Sequence, residues 1–282
     1  MFTVGLYPNV YKKNLIKIAG GLINWFENRN YSVMLPKEVA DSLNLSHLSA
    51  DKNELVKKID VAVTLGGDGT LLNVARQVAP YEVPILGINL GHVGFLTEIE
   101  ISDLYTDLER FNQKDYSIDI RMMLEAEVVR NGEVLKSFLA LNDVVVTKGP
   151  FARLIRLKTY ANEDYIDTYH ADGLIIATPT GSTAYSLSAG GPIINPDMDL
   201  LLLTPICPHT LRSRSIVVSK DDIIKVKLLA EHPEIMLTVD GQQGYELLPG
   251  DQIIVKKSSF STRLIRIKKR SFYDVLRKKL SE

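Results

Sequence analysis

The chain has 282 residues, of which 45% are hydrophobic and 24% are charged. Both fractions are close to the averages for globular proteins and exclude a disordered or low-complexity chain. There are 33 Lys and Arg residues against 34 Asp and Glu residues, so the formal net charge is −1. A chain this close to neutrality has no overall field that would attract DNA or RNA, and nucleic-acid binding is not predicted. The length predicts one large domain or two ordinary ones.

The sequence predicts neither export nor a membrane span. The single cysteine, Cys207, cannot form an internal disulfide or a multi-cysteine zinc site, and this is typical of a reducing cytoplasm. The amino-terminal segment carries its lysines after the apolar run, which is the reverse of a secretion signal. Residues 173–196 are uncharged and long enough to cross a bilayer, but Pro179, Pro192 and four glycines interrupt them. We therefore expect a cytoplasmic protein without membrane contact.

The first part of the chain alternates predicted strands and helices. The strands are Phe2–Tyr7, Tyr31–Leu35, Asp60–Leu65 and Pro84–Asn89, and the helices are Tyr11–Asn30, Asp51–Lys58 and Leu71–Val78. Strands separated by helices need crossover connections, which indicates a mostly parallel, Rossmann-like sheet covered on both faces. We assign this α/β domain to residues 1–115. Ligands of such sheets bind beyond the carboxyl ends of the strands.

The pattern changes to a period of two residues after about residue 115, which indicates antiparallel strands. The predicted strands are Ser117–Arg130, Glu133–Thr147, Leu154–Ala161, Tyr165–His170, Ser215–Ser219, Ile223–Ala230, Ile235–Val239, Gln252–Lys257 and Thr262–Lys268. The pair Asn131-Gly132 predicts a tight hairpin between the first two. One helix is predicted from Ser182, as its N-cap, to Gly190. Residues 116–268 are therefore predicted to form a β-sandwich-like domain, and residues 269–282 a terminal segment whose helix packs back on the first domain.

A glycine-rich turn, Gly66–Thr70 (GGDGT), lies between a predicted strand and a predicted helix. Glycines let a ligand approach the backbone, and the N–H groups of the next helix favour phosphate. The acid at its centre, Asp68, repels phosphate, but it suits a group that accepts a proton from an attacking hydroxyl or helps to hold Mg²⁺. The alternative is a tight turn with a solvated Asp. The segment has neither the lysine of a Walker loop nor the third small residue of the GxGxxG fingerprint.

The GGDGT segment resembles the signature of a kinase superfamily that includes NAD kinases, phosphofructokinases and diacylglycerol or sphingosine kinases. A second segment, residues 172–192, is crowded with hydroxyl and small residues and resembles the NAD kinase hallmark DGL…TPTGSTAYSLSAGGP. Residues 91–97 are similar to the GxxGFL segment of that family, and Asn142-Asp143 to its motif of Asn followed by an acid. Residues 208–211 and 240–242 match later family segments.

The resemblance implies phosphorylation of the 2′-hydroxyl of the adenosine ribose of NAD by ATP, which gives NADP, and it implies roles for individual residues. Asp68 would be the proton acceptor with Gly69 beside it, Asn142 and Asp143 would bind ribose and adenine groups, and Asp172 would lie near the nicotinamide half. Thr183, Ala184, Tyr185, Ser186, Leu187 and Ser188 would line the adenosine pocket. Arg153, His170 and Gln242 stand where the family has further substrate contacts. Because the glycine turn supplies no lysine, we expect Mg²⁺ on the ATP phosphates.

Several points stay open at this stage. The family carries Arg or Gly where this chain has His170, so a preference between NAD and NADH is not predicted, and His170 could equally be a structural residue. For His209 we favour a loop-ordering role, since no second His or Cys offers metal-ligand spacing. A carboxyl-terminal basic set could attract ATP or polyphosphate, or be a solvated strand face, which is the commoner case. It comprises Lys256, Lys257, Arg263, Arg266, Lys268, Lys269 and Arg270.

Two other functions compete with this interpretation. A lipid or sugar kinase would share GGDGT but would not need the TPTGSTAY segment or Asn142-Asp143. A dinucleotide sensor without turnover would need the pocket but not Asp68. The family forms homo-oligomers, so a homodimer or homotetramer is expected, without a choice between them.

Overall fold

The structure is a computed structural model, and it describes residues 1–9, 15–91, 94–149, 153–210, 212–229 and 234–281. The chain forms two compact units, one of Met1–Ile120 with Ser261–Glu282 and the other of Arg121–Phe260. The predictions made for residues 11–14, 92–93, 211 and 230 lie outside the described ranges.

The helices of the described ranges are α1 (Leu15–Glu27), α2 (Lys37–Ser42), α3 (Lys52–Lys58), α4 (Asp68–Val78), α5 (Leu104–Asn112), α6 (Tyr185–Ser188) and α7 (Phe272–Leu280). The strands before residue 120 are β1 (Thr3–Pro8), β2 (Ser32–Pro36), β3 (Ser49–Ala50), β4 (Val61–Leu65), β5 (Ile85–Asn89), β6 (Ile99–Glu100) and the start of β7 (Ser117–Arg130). The later strands are β8 (Glu133–Ala140), β9 (Asp143–Lys148), β10 (Ile155–Ala161), β11 (Asp164–Ala171), β12 (Gly173–Ala177), β13 (Leu200–Ile206), β14 (Ile216–Ser219), β15 (Ile224–Leu228), β16 (Ile235–Val239), β17 (Gln243–Leu247) and β18 (Gln252–Arg266).

The first unit contains a parallel sheet in the order β3-β2-β1-β4-β5, with β6 and the end of β18 also paired to β5. One face of its central strands carries Leu6, Val63 and Leu86, which are fully buried in a core that also holds Phe26 of α1. Every residue of β4 is buried, because helices cover both faces of the sheet. The Rossmann-like α/β domain is therefore confirmed.

The second unit contains two antiparallel sheets. One has the order β14-β13-β12-β9-β16-β17, and the other joins β11-β10-β15 to β18, with β7 beside β18 and β8 beside β7. Inward-facing residues of both sheets share one buried cluster, for example Val146 and Leu237 of the first and Leu157 and Val255 of the second. This is the β-sandwich that the period of two predicted. Asn131 and Gly132 have φ of 53° and 85°, as a tight hairpin turn requires.

Three of the predicted strands are divided or joined in the structure. The predicted strand Glu133–Thr147 is two strands, β8 and β9. The chain turns between them because its backbone N–H groups donate to the side chain of Asp240. The two predicted strands over 252–268 are one strand, β18, since Ser258 and Thr262 are buried. The sequence did not predict helices α2 and α5 or strands β3, β6, β13 and β17.

The limits of the two units differ from the predicted boundaries after residues 115 and 268. Strands β7 and β18 run without a break past residues 120 and 260, where the compact units change. A strand that continues across a boundary shows no change of periodicity there, so the pattern alone could not place it. In the described part of the chain, no helix has the length and hydropathy needed to cross a bilayer.

Candidate active site

The glycine turn places Asp68 at the first position of a helix. Strand β4 ends at Leu65, Gly67 is the N-cap, and α4 starts at Asp68. The helix therefore starts three residues before the predicted Leu71. Gly66 has no room for a side chain, since a Cβ there would lie 2.3 Å from Thr70 Oγ1. The turn therefore sets a half-buried carboxylate beyond the carboxyl end of a central strand.

The carboxylate of Asp68 is held by three consecutive backbone N–H groups. Phe95 N donates to Oδ2 at 2.8 Å, and Leu96 N and Thr97 N donate to Oδ1 at 3.3 and 3.2 Å. A carboxylate offers about four acceptor positions. The described donors fill three of them and leave Oδ2 with capacity for one more. Asp68 is therefore not a solvated turn residue, because its carboxylate is fixed as a hydrogen-bond acceptor.

The segment that holds Asp68 is itself built around Thr97. The Thr97 hydroxyl accepts hydrogen bonds from Gly94 N at 2.9 Å and from Asn89 Nδ2 at 3.2 Å. Gly94 leaves no space for a side chain while Asp68 keeps this position, because a Cβ there would lie 1.9 Å from Asp68 Oδ1. The described part of residues 91–97 therefore acts as a cradle that fits closely around one carboxylate.

In the second unit, a side chain of another strand end holds the turn at Asn142. The carboxylate of Asp240, which follows β16, accepts from Leu141 N at 3.2 Å, Asn142 N at 2.8 Å and Asp143 N at 3.2 Å. Asp240 N in turn donates to the carbonyl of Asp143 at 3.0 Å. These bonds cause the break between β8 and β9.

The surroundings of Asp143 disfavour the ionised form of its side chain. Asp143 is only 4% exposed, and the carboxylate of Asp240 lies close to it. Burial, and after it the negative charge of Asp240, raise the pKa of Asp143 from 3.8 to about 7. The Asp143 side chain can therefore act as a hydrogen-bond donor below neutral pH and as an acceptor above it.

The segment after β12 is clamped onto the same turn. Thr178 Oγ1 donates to the carbonyl of Leu141 at 2.6 Å and accepts from Gly181 N at 3.0 Å. A Cβ at Gly181 would lie 2.1 Å from the carbonyl oxygen of Asn142, so only glycine fits. Thr178 and Gly181 hold the TPTGSTAY segment against Asn142-Asp143.

The predicted helix from Ser182 to Gly190 is wrong in its start and its length. Residues Thr180–Thr183 form a single 3-10 turn, and α6 has only four residues. Ser182 is not an N-cap, because its hydroxyl is buried, donates to the carbonyl of Pro179 at 2.7 Å and accepts from Ile194 N at 3.0 Å. The local sequence gives the cap signal, but this tertiary contact uses the hydroxyl.

These segments of the second unit enclose a cavity of about 350 Å³. It is lined by Asn142, Asp143, Val145, Thr147, Ala184, Tyr185, Thr238, Asp240 and Gly241. Four of these were predicted site residues, namely Asn142, Asp143, Ala184 and Tyr185. Tyr185 is 45% exposed, so one ring face is available to a flat ligand. The Oδ1 atom of Asn142 is buried without a partner among the described residues, as expected of an atom that a ligand or water satisfies.

The remaining residues of the predicted adenosine pocket lie in different environments. Ser186 is buried, with its hydroxyl 2.9 Å from that of Thr204. Thr183 is half-buried and donates to the carbonyl of Thr180, Leu187 is half-buried, and Ser188 is exposed. None of these four residues lines the cavity, and Ser186 packs into the interior of the unit.

The other predicted site residues are mostly on the surface. Gly69, Arg153, His170 and Gln242 are exposed. Asp172 forms an ion pair with Lys148, with 3.2 Å between Oδ1 and Nζ. His209 N donates to the carbonyl of His170 at 2.8 Å. None of these residues lines the cavity, and no group of three His, Cys, Asp or Glu side chains within the described ranges could hold a metal ion.

The carboxyl-terminal basic set is largely paired with carboxylates. Six of its members lie within 4 Å of a carboxylate oxygen: Lys256, Lys257, Arg263, Arg266, Lys268 and Arg270. This favours the structural interpretation of the set over a polyphosphate-binding surface.

Sequence reasoning missed the part played by Asp240. The segment 240–242 was noted only for its likeness to the family, and Gln242 was selected from it. The sequence did indicate such a role, since an Asp between a strand and a glycine is typical of a side chain that accepts backbone hydrogen bonds in a turn. The sequence does not show which N–H groups it binds, because they lie between 97 and 99 residues away.

Both units match one family in the comparisons with known proteins. The ATP-NAD kinase N-terminal domain matches residues 4–116, and the ATP-NAD kinase C-terminal domain matches residues 141–267. The chain belongs to the NAD kinase family. The NAD kinase of Caldanaerobacter subterraneus subsp. tengcongensis is 49% identical and that of Thermoanaerobacter sp. strain X514 is 46% identical, each over the full length of both chains.

Two solved NAD kinase family structures share the fold. The yeast NADH kinase complexed with NADH is 26% identical with a TM-score of 0.89, over 98% of this chain and 86% of that one. The Archaeoglobus fulgidus NAD kinase in complex with ATP is 25% identical with a TM-score of 0.79, over 100% of both chains. The family predicted from residues 66–70 and 172–192 is confirmed.

Proposed function

We propose that this chain is an NAD kinase that transfers the γ-phosphoryl group of ATP to the 2′-hydroxyl of the adenosine ribose of NAD. The observation that carries the proposal is the carboxylate of Asp68, fixed by three N–H groups with capacity for one further donor. A ribose hydroxyl is a donor of the right kind for that position. The named relatives, similar over the whole chain, support the choice of NAD.

In this mechanism Asp68 first orients the hydroxyl and then takes its proton. The ribose oxygen forms a bond to the γ-phosphorus, the bond to the β-phosphate oxygen breaks, and ADP leaves. Transfer of this kind has a loose transition state, so positioning contributes most of the rate. A carboxylate is a much weaker base than an alkoxide, so the proton reaches Asp68 late, as the phosphorus–oxygen bond forms.

We assign the adenosine of NAD to the cavity of the second unit. Tyr185 offers a face for a base, and Asn142 and Asp143 offer polar groups for ribose or adenine. The remaining contacts suggested by the family, at Gly69, Arg153, His170, Asp172, Thr183, Ser186, Leu187, Ser188 and Gln242, stay proposals. Ser186 is the weakest of them, because its hydroxyl already pairs with Thr204.

Mg²⁺ enters this proposal as part of the substrate Mg–ATP. It neutralises charge on the phosphates, which the glycine turn cannot do because it carries no cationic side chain. A homodimer or homotetramer and a cytoplasmic location remain predictions from the sequence and the family, which do not choose between ATP and polyphosphate or between NAD and NADH.

The test is turnover of Asp68→Asn with NAD and Mg–ATP, measured as NADP formed. The amide keeps the shape but cannot take the proton, so kcat should fall by about 10²–10⁴-fold while the affinity for NAD, measured by calorimetry, changes little. The matched control is Asp41→Asn, an exposed acid of the same unit. Turnover of Asp68→Asn near the parent value would exclude Asp68 as the acceptor, and NAD binding without turnover in the parent would favour a sensor.

A further inference from the structure

Arg266, near the end of β18, makes contact with the segment that holds Asp68. Its Nη1 donates to the carbonyl oxygen of Leu96 at 3.0 Å, and its side chain is 19% exposed. The hydrogen bonds and ion pairs of Arg266 go to Leu96, Glu98 and Asp119, not to Asp68. It belongs to the same compact unit as Leu96 and Asp68.

The carbonyl of Leu96 shares its peptide group with the N–H of Thr97. That N–H donates to Asp68 Oδ1 at 3.2 Å. A continuous chain of hydrogen bonds therefore runs from the guanidinium of Arg266, through one peptide group, to the carboxylate. A cation on the carbonyl side of a peptide polarises its N–H and strengthens the bond on the other side. Arg266 thus stabilises both the position and the hydrogen bonding of Asp68.

Two further acids fix Arg266 in this orientation. Arg266 Nε donates to Asp119 Oδ2 at 3.0 Å, and Nη1 lies 3.4 Å from Glu98 Oε2. Glu98 is buried, and its Oε1 accepts from Ile267 N at 2.9 Å and Lys268 N at 2.6 Å. The end of β18 and the segment around Asp68 are therefore joined by a network that leaves the guanidinium little freedom.

We propose that Arg266 is a positioning residue for phosphoryl transfer, acting on Asp68 through the Leu96–Thr97 peptide group. The inference rests on the proposed function, because it gives Arg266 a role only if Asp68 takes part in the reaction. It predicts that loss of the guanidinium lowers kcat by about 10- to 100-fold, since a misplacement of about 1 Å can cost ~10²-fold. The KM values for NAD and ATP should change by less than about threefold, because in this proposal Arg266 acts only through the position of Asp68.

The experiment measures kcat and KM for Arg266→Gln and Arg266→Lys, with Arg263→Gln as the matched control. Arg263 lies on the same strand and pairs with Glu82. Turnover should rank parent and Arg263→Gln first, Arg266→Lys next and Arg266→Gln last. Added guanidinium chloride, at a concentration that does not unfold the protein, should restore part of the turnover of Arg266→Gln. If Arg266→Gln does not fold, the Lys variant carries the test through its kcat and KM.

Combining Arg266→Lys with Asp68→Asn separates this inference from the proposed function. The double variant should be no slower than Asp68→Asn alone, because Arg266 acts through Asp68. Equal additional losses in both backgrounds, parent-like kcat in both Arg266 variants, or a rise of KM without a fall of kcat would overturn the inference. Parent-like turnover of Asp68→Asn would instead exclude Asp68 as the acceptor, and a parent chain that forms no NADP from NAD and Mg–ATP would overturn the proposed function.

Discussion

Each of the two units holds one aspartate by three consecutive backbone N–H groups. Asp68 is held by residues 95–97 at 2.8 to 3.3 Å, and Asp240 is held by residues 141–143 at 2.8 to 3.2 Å. The two sites differ in access. Asp68 is half-buried at the start of a helix, whereas Asp240 is 7% exposed and adjoins the buried Asp143. The same arrangement therefore leaves one carboxylate available to a substrate and uses the other to fix the wall of a cavity.

This comparison predicts separate effects in the two units. Changes around Asp68 should alter turnover with little effect on NAD affinity. Changes around Asp240 should alter stability and NAD affinity with little effect on the chemical step.

The largest effect is expected for Gly94→Ala. The new methyl would lie 1.9 Å from Asp68 Oδ1 in the parent geometry, so either the carboxylate or the segment must move. We expect kcat to fall by about 10²-fold or more, close to the loss in Asp68→Asn, since both disable the same group. Steady-state kinetics measure it, and Gly20→Ala, where a Cβ meets no atom within 4 Å, is the control. Parent-like kcat in Gly94→Ala would show that the cradle around Asp68 tolerates displacement.

The second prediction concerns Asp143 and pH. Its pKa of about 7 in the folded chain exceeds the ordinary value of 3.8, so the folded chain keeps a proton that the unfolded chain releases. The contribution of Asp143 to the free energy of unfolding is greatest below pH 4, falls as the pH rises to about 7, and is constant above that. The difference corresponds to about 4 kcal/mol at most, at 1.36 kcal/mol per pH unit.

Asp143→Asn removes this dependence. Urea unfolding of parent and variant at several pH values should show the parent losing stability relative to the variant between pH 4 and pH 7. A difference that stays constant over this range would mean that Asp143 is ionised throughout.

The third prediction is that Asp240→Asn destabilises the second unit. Asp240 has a φ of 50°, which Asn tolerates well, so the backbone is preserved. The amide offers one acceptor oxygen in place of two, and we expect a loss of about 1–3 kcal/mol in the free energy of unfolding together with a raised KM for NAD. Asp221→Asn, an exposed acid of the same unit, is the control. A large fall in kcat at unchanged KM would contradict the division of roles between the units.

The sequence predicted the parts of the fold and of the site that depend on local pattern. Strand β4 with the glycine turn after it, and the Asn131-Gly132 hairpin, follow from hydrophobic period and turn chemistry. The cradle of Asp68 and the role of Asp240 do not, because they join residues that are distant in sequence. Ser182 shows the reverse case, in which a correct local signal for a cap is overridden by a tertiary contact with Ile194.

The smallest effect is expected for Tyr185→Ala. Tyr185 is 45% exposed, so its removal should cost little stability, but it takes one ring face from the cavity. Stacking of a base on an aromatic ring contributes about 1–3 kcal/mol, so the KM for NAD should rise by roughly tenfold while kcat changes by less than about threefold. Tyr165→Ala, an exposed tyrosine outside the cavity lining, is the control. A fall in kcat at unchanged KM would mean that this cavity of the second unit does not bind the adenosine of NAD. The contrast between Asp68, which acts in turnover, and Asp240, which supports binding, would then no longer hold.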